Sequence, residues 1–417
     1  MHLHASSLLL CGYNKLKGSL PQHTDRAIMQ SQPSKEAEAE SYMKSANKHL
    51  EKKLFQFKVN YGGAAEDFDK AARIYANLRN YPKAREAWTQ AAATHSKACD
   101  HFNAANSMEK FGDFVSQHIL ASQSILSSGN TTGTTGMLSE HLFQDAIHAY
   151  EEASNLYGVA ANGSKQAAAL KKAADLLSCS LGTTQCRRSS TGGTTTADTA
   201  YLRKEYKRII PELIELIKRN WETMGSKPYD LPDIYRSYML FCLRSGDVEG
   251  AVQTQKAMIG IVSTSPADGT YDDGQNLFRI LNQPTNAAKT GLEIIVLCLS
   301  TSIDDGYTWA RIEMDRLRAV FGFCNSSEER AAAALLAAYA ERDEDVLQEA
   351  LKTNSCFNFL AADVSRIAKK LTLGGRVHPK GVEAPVTAAS GVASSAALPS
   401  SSRASVDASD TESDDLR

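Results

Sequence analysis

Four groups of side chains in this chain have types and spacings that could do chemistry. His95, Cys99 and His101 offer metal ligands, with His95 and Cys99 one helical turn apart. A structural zinc takes four ligands and no fourth lies nearby, so ordinary packing and loop residues are the competing reading. Lys165, Lys171 and Lys172 place positive charge at the start of a helix, as a solvated face or as part of a shared docking surface. Leu54, Phe55 and Phe57 stand among Lys52, Lys53 and Lys58, just ahead of Gly62-Gly63. Apolar tips between lysines can enter a membrane surface, or can cap the first helix pair as core. Lastly, Glu412, Asp414 and Asp415 flank Leu416, so that carboxylates could meet a basic rim while one apolar side chain enters a pocket.

No motif for covalent or phosphoryl chemistry accompanies these groups. There is no GxxxxGKS/T, GxGxxG, GxSxG or HExxH pattern. The expectation is a protein that is not an enzyme and that uses neither cofactor nor metal. Its 417 residues carry a formal net charge of −2, so nothing calls for nucleic acid as a partner. Eight scattered cysteines without a CxxC pair point to a reducing compartment, with most of them as small core residues. The apolar run Ile294–Leu299 is far too short to span a bilayer.

The elements that must position these groups are helices. Tyr81, Ala84, Trp88 and Ala91 fall on one face at about 3.6 residues per turn. The spacing returns at Phe143, Ala146, Tyr150 and Ala153, and in degraded form at Val248, Ala251, Gln255 and Met258 after Gly246-Asp247. Alanine admits a neighbouring helix closely and the aromatic fills the gap one turn on. Each unit has a seam it cannot bury alone, which stacking buries. The fold class read from this is all-α, a tetratricopeptide-like α-solenoid of antiparallel helix hairpins with a C-terminal helical cap.

In chain order, residues 1–36 are expected to be a disordered extension, and 37–373 the helical body. Helical pattern begins near Ala37 and runs to Lys53. Asn80 is placed to cap a helix with Pro82 in its first turn. A second hairpin is expected to start at Phe102 and to turn near Gly112-Asp113. Low-complexity insertions are expected at about 127–136 and 180–197. Pro211 should bend or restart its helix. Further helices are expected over Leu231–Leu243, Asp247–Val262, Ala287–Leu299, Thr308–Phe321, Glu328–Glu341, Asp345–Leu351 and Phe357–Leu371. Residues 374–417 read as a disordered tail with an acidic end.

Three stretches carry a resemblance to the soluble NSF attachment protein family, closest to the gamma type. They are Phe68–His101, with Tyr81-x2-Ala84, His95 and His101-Phe102-x-Ala104-Ala105; Gly322-Phe323 through Leu371, with its alanine-rich helix, the acidic turn Arg342–Asp345, and Cys356-Phe357; and the acidic end with its penultimate Leu416. The resemblance implies a helical sheet that clasps the SNARE four-helix bundle and recruits the hexameric AAA ATPase NSF. It implies membrane contact at Leu54, Phe55 and Phe57, ATPase activation by Leu416 with Glu412, Asp414 and Asp415, and SNARE contact near Lys171 and Lys172. It also implies a cytoplasmic protein held peripherally on vesicle, Golgi, ER or vacuolar membranes. The Thr/Gly insertions, the N-terminal extension and Gln255 depart from the family pattern. A generic tetratricopeptide scaffold or chaperone-docking adaptor is the alternative; it would bind a short C-terminal peptide of its partner through a basic groove.

Overall fold

The structure is a computed structural model that describes residues 23–51, 59–127, 140–188, 196–225, 227–262 and 270–373. Leu54, Phe55 and Phe57, and Glu412, Asp414, Asp415 and Leu416, lie outside the described residues. Helices follow one another as α1 (His23–Leu50), α2 (Tyr61–Asn77), α3 (Tyr81–Lys97), α4 (His101–Ser127) and α5 (Glu140–Val159). Next come α6 (Gly163–Arg188), α7 (Thr196–Met224), α8 (Leu231–Arg244) and α9 (Val248–Met258). After a two-stranded ribbon, β1 (Ile261–Val262) and β2 (Thr270–Tyr271), stand α10 (Leu277–Ile280), α11 (Pro284–Leu299) and α12 (Asp304–Leu317). The last are α13 (Ser327–Glu341), α14 (Glu344–Thr353) and α15 (Ala362–Ala368). Apart from the ribbon the described fold is all-α.

From α1 to α8 each helix packs chiefly on its neighbours in the chain. The alanine and aromatic stripes form that packing: Ala84, Trp88 and Ala91 of α3 are buried, as are Phe143, Ala146, Tyr150 and Ala153 of α5. Four connections share one geometry. Their middle residues, Arg79, Cys99, Ala161 and Gly246, are left-handed, with φ of 56°, 60°, 54° and 78°. The amide of the next residue reaches back five positions, as from Asn80 to the carbonyl of Tyr75 at 2.9 Å and from Asn162 to that of Tyr157 at 2.9 Å. That closes the helix end in a Schellman manner. The same residue then caps the following helix: Asn80, Asp100, Asn162 and Asp247 accept from the amides of Lys83, Asn103, Lys165 and Gly250. A chain that reverses at each turn places alternate connections on opposite edges of the stack.

Several expected boundaries differ from the structure. α1 starts at His23, well before Ala37, and runs through Pro33. α6 continues to Arg188, so the first half of the expected 180–197 insertion is helical. α7 passes through Pro211 as one helix. The turn expected at Gly112-Asp113 does not exist, because α4 is continuous from His101 to Ser127. The glycine serves close packing instead, since a Cβ there would lie 2.8 Å from the Tyr150 ring. The last part of the expected Asp247–Val262 helix forms the ribbon, which pairs Ile261 with Tyr271 and Val262 with Thr270. The end of the expected Phe357–Leu371 helix is split into a 3-10 turn, Ser355–Phe359, and α15.

Beyond α9 the arrangement changes. Nearly every residue of α11 from Ala287 onward is buried, and α9, α12, α13 and α15 all pack on it. Its one buried carboxylate, Glu293, accepts from Gln255 of α9 and from the Ala361 amide at 2.7 Å, at the start of α15. Gln255 therefore stands where an aromatic would otherwise fill the stripe, because its amide satisfies Glu293. Beside it, Lys256 meets Glu313 at 2.8 Å with both side chains fully buried. Arg316 at 2.8 Å and the Trp309 indole at 3.3 Å complete that carboxylate's surroundings. Of the six cysteines whose side chains are described, Cys242, Cys298 and Cys356 are buried and Cys99, Cys179 and Cys324 exposed, so the core role holds for half of these six. Burial pushes the Cys242 thiol up to about 11.

Candidate functional site on the second to fourth helices

A groove of about 800 Å³ opens between α2, α3 and α4. α2 and the turn after it contribute Arg73, Asn77 and Arg79. From α3 come Tyr81 and Trp88, seven residues apart on one face; α4 adds Lys110, Asp113, Phe114, Gln117 and His118. The rings form a connected wall. Phe114 lies 6.1 Å from Tyr81 and 5.6 Å from Trp88 between centroids, and Phe111 backs both. Tyr81 is fixed by donating its hydroxyl to Asp145 of α5, which Arg85 also holds at 2.8 Å. The Trp88 indole N–H is buried in this wall and has no hydrogen-bond partner.

Around the rings stand three cations. Arg73, Arg79 and Lys110 make no ion pair among the described residues. Burial, with Arg73 alongside, pulls the Lys110 ammonium below its ordinary range against the attraction of Asp69.

Beneath the groove a polar seam ties α2, α4, α5 and α6 together. Ser107 donates to Asp69 at 2.8 Å, and the His95 ring lies 3.7 Å from the same carboxylate. Although burial opposes it, these groups and Lys110 hold Asp69 below the usual carboxylate range. Tyr157 donates to Glu109 at 2.6 Å, and Tyr150 to Asp113 at 2.9 Å. Lys172 joins both acids, at 2.8 Å from Glu109 and 2.8 Å from Asp113. Glu109 is kept low by Lys172 and Tyr157 in spite of its burial.

Each expected site residue that the structure describes can now be placed. Lys172 is committed to the seam, with Glu109 and Asp113 on either side of its ammonium. Lys171 points elsewhere, to Asp230 at 3.4 Å. Lys165 is exposed, and its amide is capped by Asn162. His95 is buried between Asp69 and Asp100, while Cys99 is the exposed left-handed residue of its turn. Among the described residues no group of three His, Cys, Asp or Glu side chains could hold a metal ion. The groove cations escaped sequence reading because Arg73, Arg79 and Lys110 are dispersed among ordinary surface charges. The aromatic stripe of α3 was their only signal.

No protein-family model matches the chain, and no curated protein matches it. Function is therefore argued from the site. Arg73 and Arg79 stand beside the half-buried Tyr81 and Phe114 rings, a setting in which guanidinium groups can pair with carboxylates and stack on rings. Among the described residues no helix is long and apolar enough to cross a membrane.

Proposed function

We propose that the chain is a non-catalytic adaptor that binds an assembled SNARE four-helix bundle at a membrane and delivers it to an NSF-type hexameric ATPase. The observation that carries this reading is the groove, whose unpaired cations beside an aromatic wall fit the acidic flank of a helical bundle. Neighbour-on-neighbour packing with uniform Asx-capped turns supports a tetratricopeptide-like α-solenoid, in which stacked units share one binding face. Sequence resemblance provides the remaining contacts: Leu54, Phe55 and Phe57 for lipid, and Leu416 with Glu412, Asp414 and Asp415 for the ATPase. Lys171 and Lys172 take a lesser part, since Lys172 already holds α4 to α6.

Binding of the purified full chain to a soluble, assembled SNARE bundle tests the reading. Arg73→Glu with Lys110→Glu should weaken capture at least about tenfold, since removing one partner of a buried, hydrogen-bonded charge pair costs about 2–5 kcal/mol. Unchanged capture by that variant would remove the groove from the site. If the chain instead captured a short acidic C-terminal peptide and ignored the bundle, the general scaffold reading would replace this one.

A further inference from the structure

The alternation of connections gives the α1–α8 stack two edges, and they differ in chemistry. One edge collects the end of α1 and the start of α2, the α3–α4 turn, the α5–α6 turn and the α7–α8 connection. Contacts across it confirm the grouping. The Phe102 ring meets Tyr157 edge-on at 5.5 Å, Asn220 donates to the Gly163 carbonyl at 2.7 Å, and Lys171 faces Asp230.

Large exposed apolar side chains concentrate there. Phe102 (42% exposed), Val159 (65%), Met224 (55%) and Tyr229 (67%) all lie at its turns. The described connections of the opposite edge, 78–80 and 245–247, carry none. Between α6, α7 and the α7–α8 connection a hollow of about 600 Å³ is lined by Trp221, Met224, Lys227 and Tyr229 among others. Basic residues alternate with these apolar tips: Lys97, Lys165 and Lys227 are exposed and have no ion-pair partner among the described residues. Most acids of the edge are engaged. Asp100 accepts from Asn103, Asp230 faces Lys171 and Asp233 faces Arg236, leaving Glu51 and Glu222 as the exposed exceptions.

We propose that this edge is a second lipid-contacting rim, in which Phe102, Val159, Met224 and Tyr229 enter the headgroup layer of an anionic bilayer. Lys97, Lys165 and Lys227 meet the lipid phosphates and carboxylates. Spaced apolar tips with intervening lysines match that interface better than a protein surface, because a bilayer accepts separated insertions without shape complementarity. Tyrosine and tryptophan suit the boundary, with an apolar ring and a polar handle. Phe102, Val159, Met224 and Tyr229 are separate in sequence from residues 52–58, and lipid contact by them does not depend on SNARE binding.

The test uses the full chain and vesicles of phosphatidylcholine with or without phosphatidylserine, free of any protein. Binding should require phosphatidylserine and weaken with salt. Lys97→Glu, Lys165→Glu and Lys227→Glu together should reduce it by at least about tenfold, as should Met224→Ser with Tyr229→Ser, with helix content unchanged by circular dichroism. Val346→Ser with Phe359→Ser, which removes exposed apolar groups elsewhere, should change nothing. Brominated lipid gives an independent readout, because the three tryptophans are Trp88, Trp221 and Trp309 and none lies in residues 52–58. Bromine quenching should occur in the parent chain and vanish in Trp221→Phe. Undiminished vesicle binding by both rim variants, or quenching that persists in Trp221→Phe, would overturn the proposal.

Discussion

Lys172 in the α4–α6 stack and Lys256 under α11 each face a buried carboxylate, at the same 2.8 Å. The first keeps 37% of its side chain exposed, whereas the second keeps none. The difference runs through both regions. In the stack, each helix touches mainly two neighbours, so one side stays open and charged groups reach it. Around α11, four helices close the space, and its polar side chains pair with one another, Lys256 with Glu313 and Gln255 with Glu293. The stack leaves charged groups at its surface, whereas the α11 cluster encloses its own.

The sharpest way to break this contrast is to unpair the sealed site. Lys256→Met leaves Glu313 with Arg316 and Trp309 but without its buried ammonium, and should cost about 3 kcal/mol in urea unfolding. Adding Glu313→Leu should recover part of that loss. A smaller effect is expected in the stack from Gly112→Ala. Its new methyl meets the Tyr150 ring, so α4 and α5 must part slightly, at about 1–3 kcal/mol. Equal tolerance of Lys256→Met and a surface lysine replacement would mean that the α11 cluster is not closed.

Acid should separate the regions in opposite senses. Asp69 and Glu109 are held low in the folded chain. Their stabilisation is complete above the ordinary carboxylate range and is lost as pH falls through their lowered values. Burial pushes Glu293 up, so the folded state keeps its proton longer; its contribution declines as pH rises from its ordinary 4.5 through the raised value. Amide exchange, corrected for intrinsic rates, should therefore show α2 and α4 losing protection on acidification before α11 does. Glu293→Gln should flatten the response of α11 alone. The smallest effect is expected at the turns. Ala161→Gly relieves a left-handed alanine and should raise stability by about 0.5–1 kcal/mol in the same unfolding experiment.

Much of this architecture was legible in the chain, for reasons that also explain the misreadings. The stripe from Tyr81 to Ala91 and its copy from Phe143 to Ala153 are visible because alanine and aromatic residues alternate on one face. Gly112 misled because a glycine that admits a ring and a glycine that makes a turn look alike in sequence. Conversely, the turns at Arg79, Cys99 and Ala161 use left-handed residues without a glycine, so only their Asn or Asp caps announce them. Gln255 looked like decay of a repeat until Glu293, remote in sequence, gave it a partner. The groove was hidden for the same reason: Arg73, Arg79 and Lys110 become a site only once α2, α3 and α4 are side by side. Lys172 ran the other way, an eye-catching lysine that the fold uses for itself.

The central claim is that the stack holds a SNARE bundle while a separate segment engages the ATPase. Stimulation of an NSF-type ATPase by the purified chain, in the presence of assembled SNARE bundle, tests it most directly. The account predicts strong stimulation by the parent chain and loss with Arg73→Glu and Lys110→Glu through failed bundle capture. Leu416→Ala should lose stimulation while bundle capture and melting temperature stay unchanged. Nucleotide turnover by the chain alone, or full stimulation by both variants, would contradict it.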